Sequence, residues 1–159
     1  MSSSDQHVRQ ANHNLEFLHV FFDSHLFNDW AITVGFYIAV HVIENAIAVS
    51  GKLKYKGKEV SIKDSDELPK VAARCGIPPP QNFTSDAWSG HIARNILIAE
   101  NFPQISEDYK YLYRKSRTAR YVQYAVEDND VKLILGVSLR SIVNWSNDKL
   151  KTEYKLAVS

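Results

Sequence analysis

Residues 30–50 read WAITVGFYIAVHVIENAIAVS, and this run decides the fold. It is apolar on nearly every side, holds no proline and stops at Gly51, a residue suited to a left-handed helix terminator. The pattern predicts one continuous helix, about 31 Å long at about 1.5 Å per residue. Asn28 or Asp29 would cap it, because a short side-chain oxygen satisfies the free amides of a first turn. Length alone would let such a rod cross a membrane. His41, Glu44 and Asn45 in its second half argue otherwise, since a central charge costs about 2.5–3.5 kcal/mol on insertion scales. A helix apolar on all sides and carrying a few polar groups belongs in the middle of a bundle. The expectation is a core helix and no membrane span.

On either side the spacing is also helical. Val8, Ala11, Leu15, Leu18 and Phe22 recur at threes and fours from Asp5 to about Ser24. A third long helix is expected from a cap at Thr84 or Ser85 to about Asn101. A fourth opens at Gln104 or Ser106 and ends near Tyr121, with Val122–Val126 as a frayed end or short link. The last begins at Asp128 or Asn129 and carries Val131, Ile134, Leu135, Ile142 and Trp145. Between the second and third helices the period changes. Leu53, Tyr55, Val60 and Ile62 alternate around Lys56-Gly57, which reads as a small hairpin. Asp66–Cys75 reads as a short helix with Pro69 in its first turn, and Pro78-Pro79-Pro80 forces an extended connector. The fold class expected is therefore all-α: a single domain over 1–159, an antiparallel up-and-down bundle of about five long helices. Residues 52–83 form an insertion too short for a core of its own.

Composition bounds the chemistry. With 159 residues, 45% hydrophobic and 23% charged, the chain can bury a core without metal or disulfide support. The single cysteine, Cys75, excludes an intrachain disulfide and multi-cysteine metal sites. Met1–Gln10 is polar, with no basic start leading into an apolar run, so a cytoplasmic protein is expected. The net charge of +1 conceals two basic blocks: Lys52–Lys63 and Tyr109–Val126, the second with five cations and no acid. Such patterning can hold an anion locally without coating nucleic acid indiscriminately.

Several polar groups are candidates for function. Tyr37, His41 and Glu44 share one face of the central helix, where Glu44 needs a partner that His41 can supply. That pair is either a structural one holding register or an acid–base or anion site. His91 and Arg94 project together with Asn95 adjacent, Arg94 either pairing with an acid such as Glu44 or facing a phosphate. On the fourth helix Tyr109, Leu112, Ser116 and Ala119 form an inward stripe. Tyr113, Arg117, Arg120 and Tyr124 form a second, either a solvated face or arginines interleaved with aromatics for phosphate contact and base stacking. Lys52, Lys54, Lys56, Lys58 and Tyr55 make a weaker second patch. No metal or cofactor is expected. His7, His13, His19 and His25 recur every six residues, a spacing that rotates them apart on a helix. The one ExxH pair, Glu16 with His19, lacks the further ligands of a di-metal bundle site. No glycine-rich phosphate loop is present.

Asp29-Trp30-Ala31-Ile32-Thr33 leading to Phe36-Tyr37, Ala39, His41 and Glu44 resembles the second helix of the HEPN (higher eukaryote and prokaryote nucleotide-binding) domain family. The later run of His91-x-x-Arg94-Asn95, Ile105, Tyr109, Leu112, Ser116 and Ala119-Arg120-Tyr121 resembles that family's second half. The likeness covers about a third of the chain, in order. It implies an antiparallel bundle, a homodimer, and a nucleotidyltransferase partner in toxin–antitoxin or defence systems. Many members are metal-independent ribonucleases marked by arginine, four to six residues, then histidine. Here no arginine precedes a histidine at that interval; Arg9 and His13 have only three residues between them. The reading that follows is a non-catalytic nucleotide- or RNA-binding bundle, with a crevice lined by His41, His91, Arg94, Arg117 and Arg120 and Tyr121 available for stacking. The alternatives are a divergent ribonuclease using His41 or His91 with Arg94 or Arg120, and a dimeric interaction module without a ligand.

Overall fold

The computed structural model describes residues 3–22, 27–83, 88–122 and 126–157. Five long helical rods make the bundle: α1 (Ser3–Phe22), α2 (Asn28–Ser50), α4 (Gly90–Asn101), α5 (Ser106–Tyr121), and α6 (Asp128–Leu133) continued through a π-helical stretch, Ile134–Leu139, into α7 (Arg140–Leu150). The fold is an all-α bundle, as the periodicity predicts. The expected caps Thr84 and Ser85, and Tyr124 of the second α5 stripe, lie outside the described residues.

α2 is the axis. It is long and apolar enough to span a membrane, but 72% of its most apolar window is buried by the other helices. Phe36, Ile38, Val42, Ile43, Ala46 and Ile47 have no exposure, so the hydrophobic effect fixes the rod at the centre. α1 lies antiparallel against it: Ser4 Oγ donates to Asn45 Oδ1 near one end, and His7 meets His41 about one turn further along. Gly51 ends α2 at φ 67°, in the left-handed region only glycine enters without cost. The start differs from expectation. Neither Asn28 nor Asp29 caps it; Asn28 is already helical and its amide donates to Val126 O and Asp128 Oδ1, both at 2.7 Å. That side chain ties the beginning of α2 to the beginning of α6 instead.

The π-helical stretch packs closely on α2. Leu135 and Leu139 lean onto Gly35 of α2, where a methyl group would collide with Leu135 Cδ2. Leu135 is wholly buried and has nowhere to rotate. Gly35→Val is therefore expected to lose about 1–3 kcal/mol, the usual cost of overpacking; urea unfolding at unchanged helical content checks this. A loss below the error of the measurement would mean that the two rods do not approach as closely as described.

Residues 52–83 pack onto the bundle rather than hang from it. β1 (Leu53–Tyr55) pairs antiparallel with β2 (Lys58–Val60), Leu53 opposite Val60. Lys56 and Gly57 both take positive φ, as a two-residue primed turn requires. Leu53, Tyr55, Val60 and Ile62 turn inward. A 3₁₀ turn, Ser65–Glu67, then leads into α3 (Leu68–Arg74), with Pro69 in its first turn. Asn101 Oδ1 and Glu100 Oε1 at the end of α4 accept from the backbone amides of Lys54 and Lys56, holding the hairpin against that helix.

Candidate functional site

Glu44 is the hinge of the site. It projects from α2 into the core, 4% exposed, where an unpaired carboxylate would be very costly. Three donors satisfy it: Arg94 Nε at 2.6 Å, the Ser65 amide at 3.0 Å, and the Ser65 hydroxyl. Arg94, 7% exposed, spends its remaining donors on Ser65 Oγ, Tyr109 OH and His91 Nδ1. α2, the 65–67 turn, α4 and α5 therefore meet on one ion pair. Of the two pairings the sequence left open for Glu44, the one with Arg94 is formed and the one with His41 is not. A buried guanidinium has greater need of the carboxylate than an imidazole does, and it takes it. Ser65, which no sequence signal marked, makes the insertion a structural part of this network.

His41 turns the other way, to His7 of α1, the two Nδ1 atoms 3.2 Å apart. Burial lowers its pKa to about 4, with His7 and Arg94 pushing the same way and Glu44 opposing. These residues border a cavity of about 330 Å³ that also contains Asp64, Asp66 and the Glu44–Arg94 pair. The carboxylates make it a poor place for a phosphate.

On the far side of Arg94 lies a second groove, about 360 Å³, lined by His91, Tyr113, Arg117, Arg120 and Tyr121. The α5 stripe builds it. Tyr109, Leu112, Ser116 and Ala119 are buried, which leaves Tyr113, Arg117 and Arg120 on the rim. The Arg120 guanidinium lies over the rings of Tyr121 and Tyr37, 5.3 and 6.0 Å from their centroids, and approaches Tyr37 OH at 3.4 Å. Arg117 lies 5.9 Å over Tyr113. Among the described residues no carboxylate stands within ion-pair distance of Arg117 or Arg120. Two cations stacked on aromatic faces, with no acid paired to them among the described residues, have the charge and the open donors that an anion would need.

His91 completes the groove in a fixed state. Arginine has no acceptor, so Arg94 Nη1 donates to His91 Nδ1 at 3.1 Å, and the neutral ring carries its proton on Nε2. Burial holds the His91 pKa below its ordinary value, Arg94, Arg120 and Arg117 add to this, and Asp66 opposes it. The folded state refuses a proton that the unfolded chain accepts near pH 6.5. The stability that His91 contributes is therefore complete above that pH and is lost as pH falls below it. Unfolding by urea at pH 7.5 and 5.5 should show this loss, and His91→Asn should lose less between the two. An equal loss in the variant would assign the effect to other groups.

The sequence candidates thus divide. Tyr37, His91, Arg117, Arg120 and Tyr121 gather at the groove; His41 and Glu44 face the acidic cavity; Arg94 joins the two. Asn95 lines neither, and its Oδ1 is buried without a hydrogen bond among the described residues. The lysine patch is largely structural. Tyr55 is buried with its hydroxyl donating to Pro78 O, Lys56 Nζ donates to the carbonyls of Pro78 and Pro79, and Lys52 pairs with Glu59. No family model, curated protein or solved structure matches the chain.

Proposed function

We propose that this protein is a non-catalytic, HEPN-like module that binds a nucleotide or RNA through the α4–α5 groove. The observation that carries the reading is the pair Arg117 and Arg120, walled by tyrosines and without a carboxylate partner among the described residues, beside a histidine set as a donor. The arginines would contact phosphate through charge-assisted hydrogen bonds. Tyr121, 69% exposed, would offer its face to a base. A homodimer, a nucleotidyltransferase partner in a toxin–antitoxin or defence system, and a cytoplasmic setting belong to the same reading through the sequence resemblance.

The ribonuclease alternative is the weaker one for a reason at His91. With Nδ1 accepting from Arg94, the ring has no lone pair to offer as a general base at Nε2, where its proton sits. The ring is a hydrogen-bond donor first. Fluorescence titration with ATP and with short single-stranded RNA, in low and high salt, tests the proposal alongside a cleavage assay without metal. Binding that weakens steeply with salt and leaves the RNA intact supports it. Cleavage lost in His91→Ala would replace it with the enzymatic reading, and no binding to any ligand would leave the interaction module.

A further inference from the structure

The acidic cavity beside His7 and His41 carries a different chemistry, independent of the groove. We propose that His7 and His41 form a chelating pair for one divalent transition-metal ion of the kind imidazole favours, such as zinc, nickel or copper. The two Nδ1 atoms come from different helices, 34 residues apart in sequence, and stand 3.2 Å from each other. Two imidazole nitrogens bound at about 2.0–2.1 Å to a tetrahedral ion stand about 3.3–3.4 Å apart, so the spacing of the two nitrogens already suits one ion, and the rings, which now meet head-on, have to turn to aim both lone pairs at it. The rings are tilted by 34° rather than stacked, with their centroids 5.5 Å apart.

The surroundings suit a cation. The cavity beside the pair contains the carboxylates of Glu44, Asp64 and Asp66 against the one guanidinium of Arg94. Among the described residues no third histidine, cysteine or carboxylate converges with the two rings. Water therefore completes the coordination, and the carboxylates act through their field. Without metal one imidazole donates its Nδ1 proton to the other; on binding, that proton moves to the donor's own Nε2 and both Nδ1 lone pairs go to the ion. No net proton is released. The other described histidines are placed differently. His19 Nε2 accepts from the Ala157 amide, His91 accepts from Arg94, and His13 is exposed on the outer face of α1. A bound ion would pin the first turns of α1 to the middle of α2.

The test is isothermal titration of the untagged full chain with nickel or zinc at neutral pH. His7→Asn and His41→Asn serve as site variants and His13→Asn as control, with folding checked by circular dichroism. One ion per chain is expected, with at least a tenfold loss of affinity in each site variant and none in the control. Copper bound to the wild type should give an electron paramagnetic resonance spectrum split by two nitrogens. His7 is only half-buried, so its variant remains informative if His41→Asn fails to fold. No saturable binding, or binding unchanged in folded His7→Asn, overturns the proposal and leaves the pair as a hydrogen bond.

Discussion

Replacing Glu44 with alanine is expected to lower the unfolding free energy by about 3–5 kcal/mol, the cost of leaving a buried ion without its counter-ion. Arg94 is 7% exposed and cannot recover the lost interaction from water. The damage extends beyond the pair. Ser65 loses the acceptor for both its amide and its hydroxyl, so the 65–67 turn loses its anchor on the bundle. Against a typical total of about 5–15 kcal/mol the variant would be marginal. Removing both charges is expected to be milder: Glu44→Met with Arg94→Met replaces the pair by packing, and what remains is the loss of the acceptor for the Ser65 amide and hydroxyl. A double-mutant cycle by urea unfolding measures the difference. A single-variant loss below about 1 kcal/mol would mean that the pair behaves as a solvated one.

That ion pair also shows where sequence reasoning stops. The central helix was legible because twenty-one consecutive residues from Trp30 to Ser50 leave it no polar face, and only a bundle interior accepts such a rod. The hairpin was legible because Lys56-Gly57 meets the demand for two positive φ values. The π-helical stretch was not. It coincides with the close approach of Leu135 to Gly35, a contact between rods a hundred residues apart in sequence, which no local pattern records. The start of α2 failed for a similar reason. Asn28 is a good capping residue by propensity, but it lies inside the helix, one position past the cap, and its side-chain nitrogen donates to a carbonyl and a carboxylate at the α6 end.

The site divides along the same line. The α5 stripes follow from a period of 3.6, so the side of the helix on which Arg117 and Arg120 lie could be read directly. For Glu44 the sequence offered two partners, His41 on the same helix and Arg94 fifty residues on, and no local pattern chose between them; the fold takes Arg94 and adds Ser65, which no pattern marked. One crevice became two for this reason: the pairing places a neutral barrier between His41 and the arginines. Tyr37 seemed to belong with His41 by spacing, yet Arg120 draws it to the groove.

The largest effect on binding is expected from removing both groove arginines. Each charge-assisted hydrogen bond is worth about 1.5–3 kcal/mol, and about 1.4 kcal/mol is a factor of ten in affinity. Arg117→Ala with Arg120→Ala should therefore weaken nucleotide or RNA binding about 100-fold or more. The salt dependence gives a second, independent readout. Every phosphate contact on a single strand contributes about 0.7 to the slope of log affinity against log salt, so the double variant should lose about 1.4 of that slope. Stability should hardly change, since Arg117 is exposed and, among the described residues, Arg120 makes one long hydrogen bond outside its own helix. Tyr121→Ala separates the two parts of the ligand. It should reduce affinity for RNA by about 1–3 kcal/mol through lost stacking, while the salt slope stays where it was. A double-arginine variant that binds as tightly as the wild type, with the same slope, would move the ligand elsewhere on the surface. Loss of affinity without a change of slope would mean that the arginines order the groove through Tyr113, Tyr37 and Tyr121 rather than meet a phosphate.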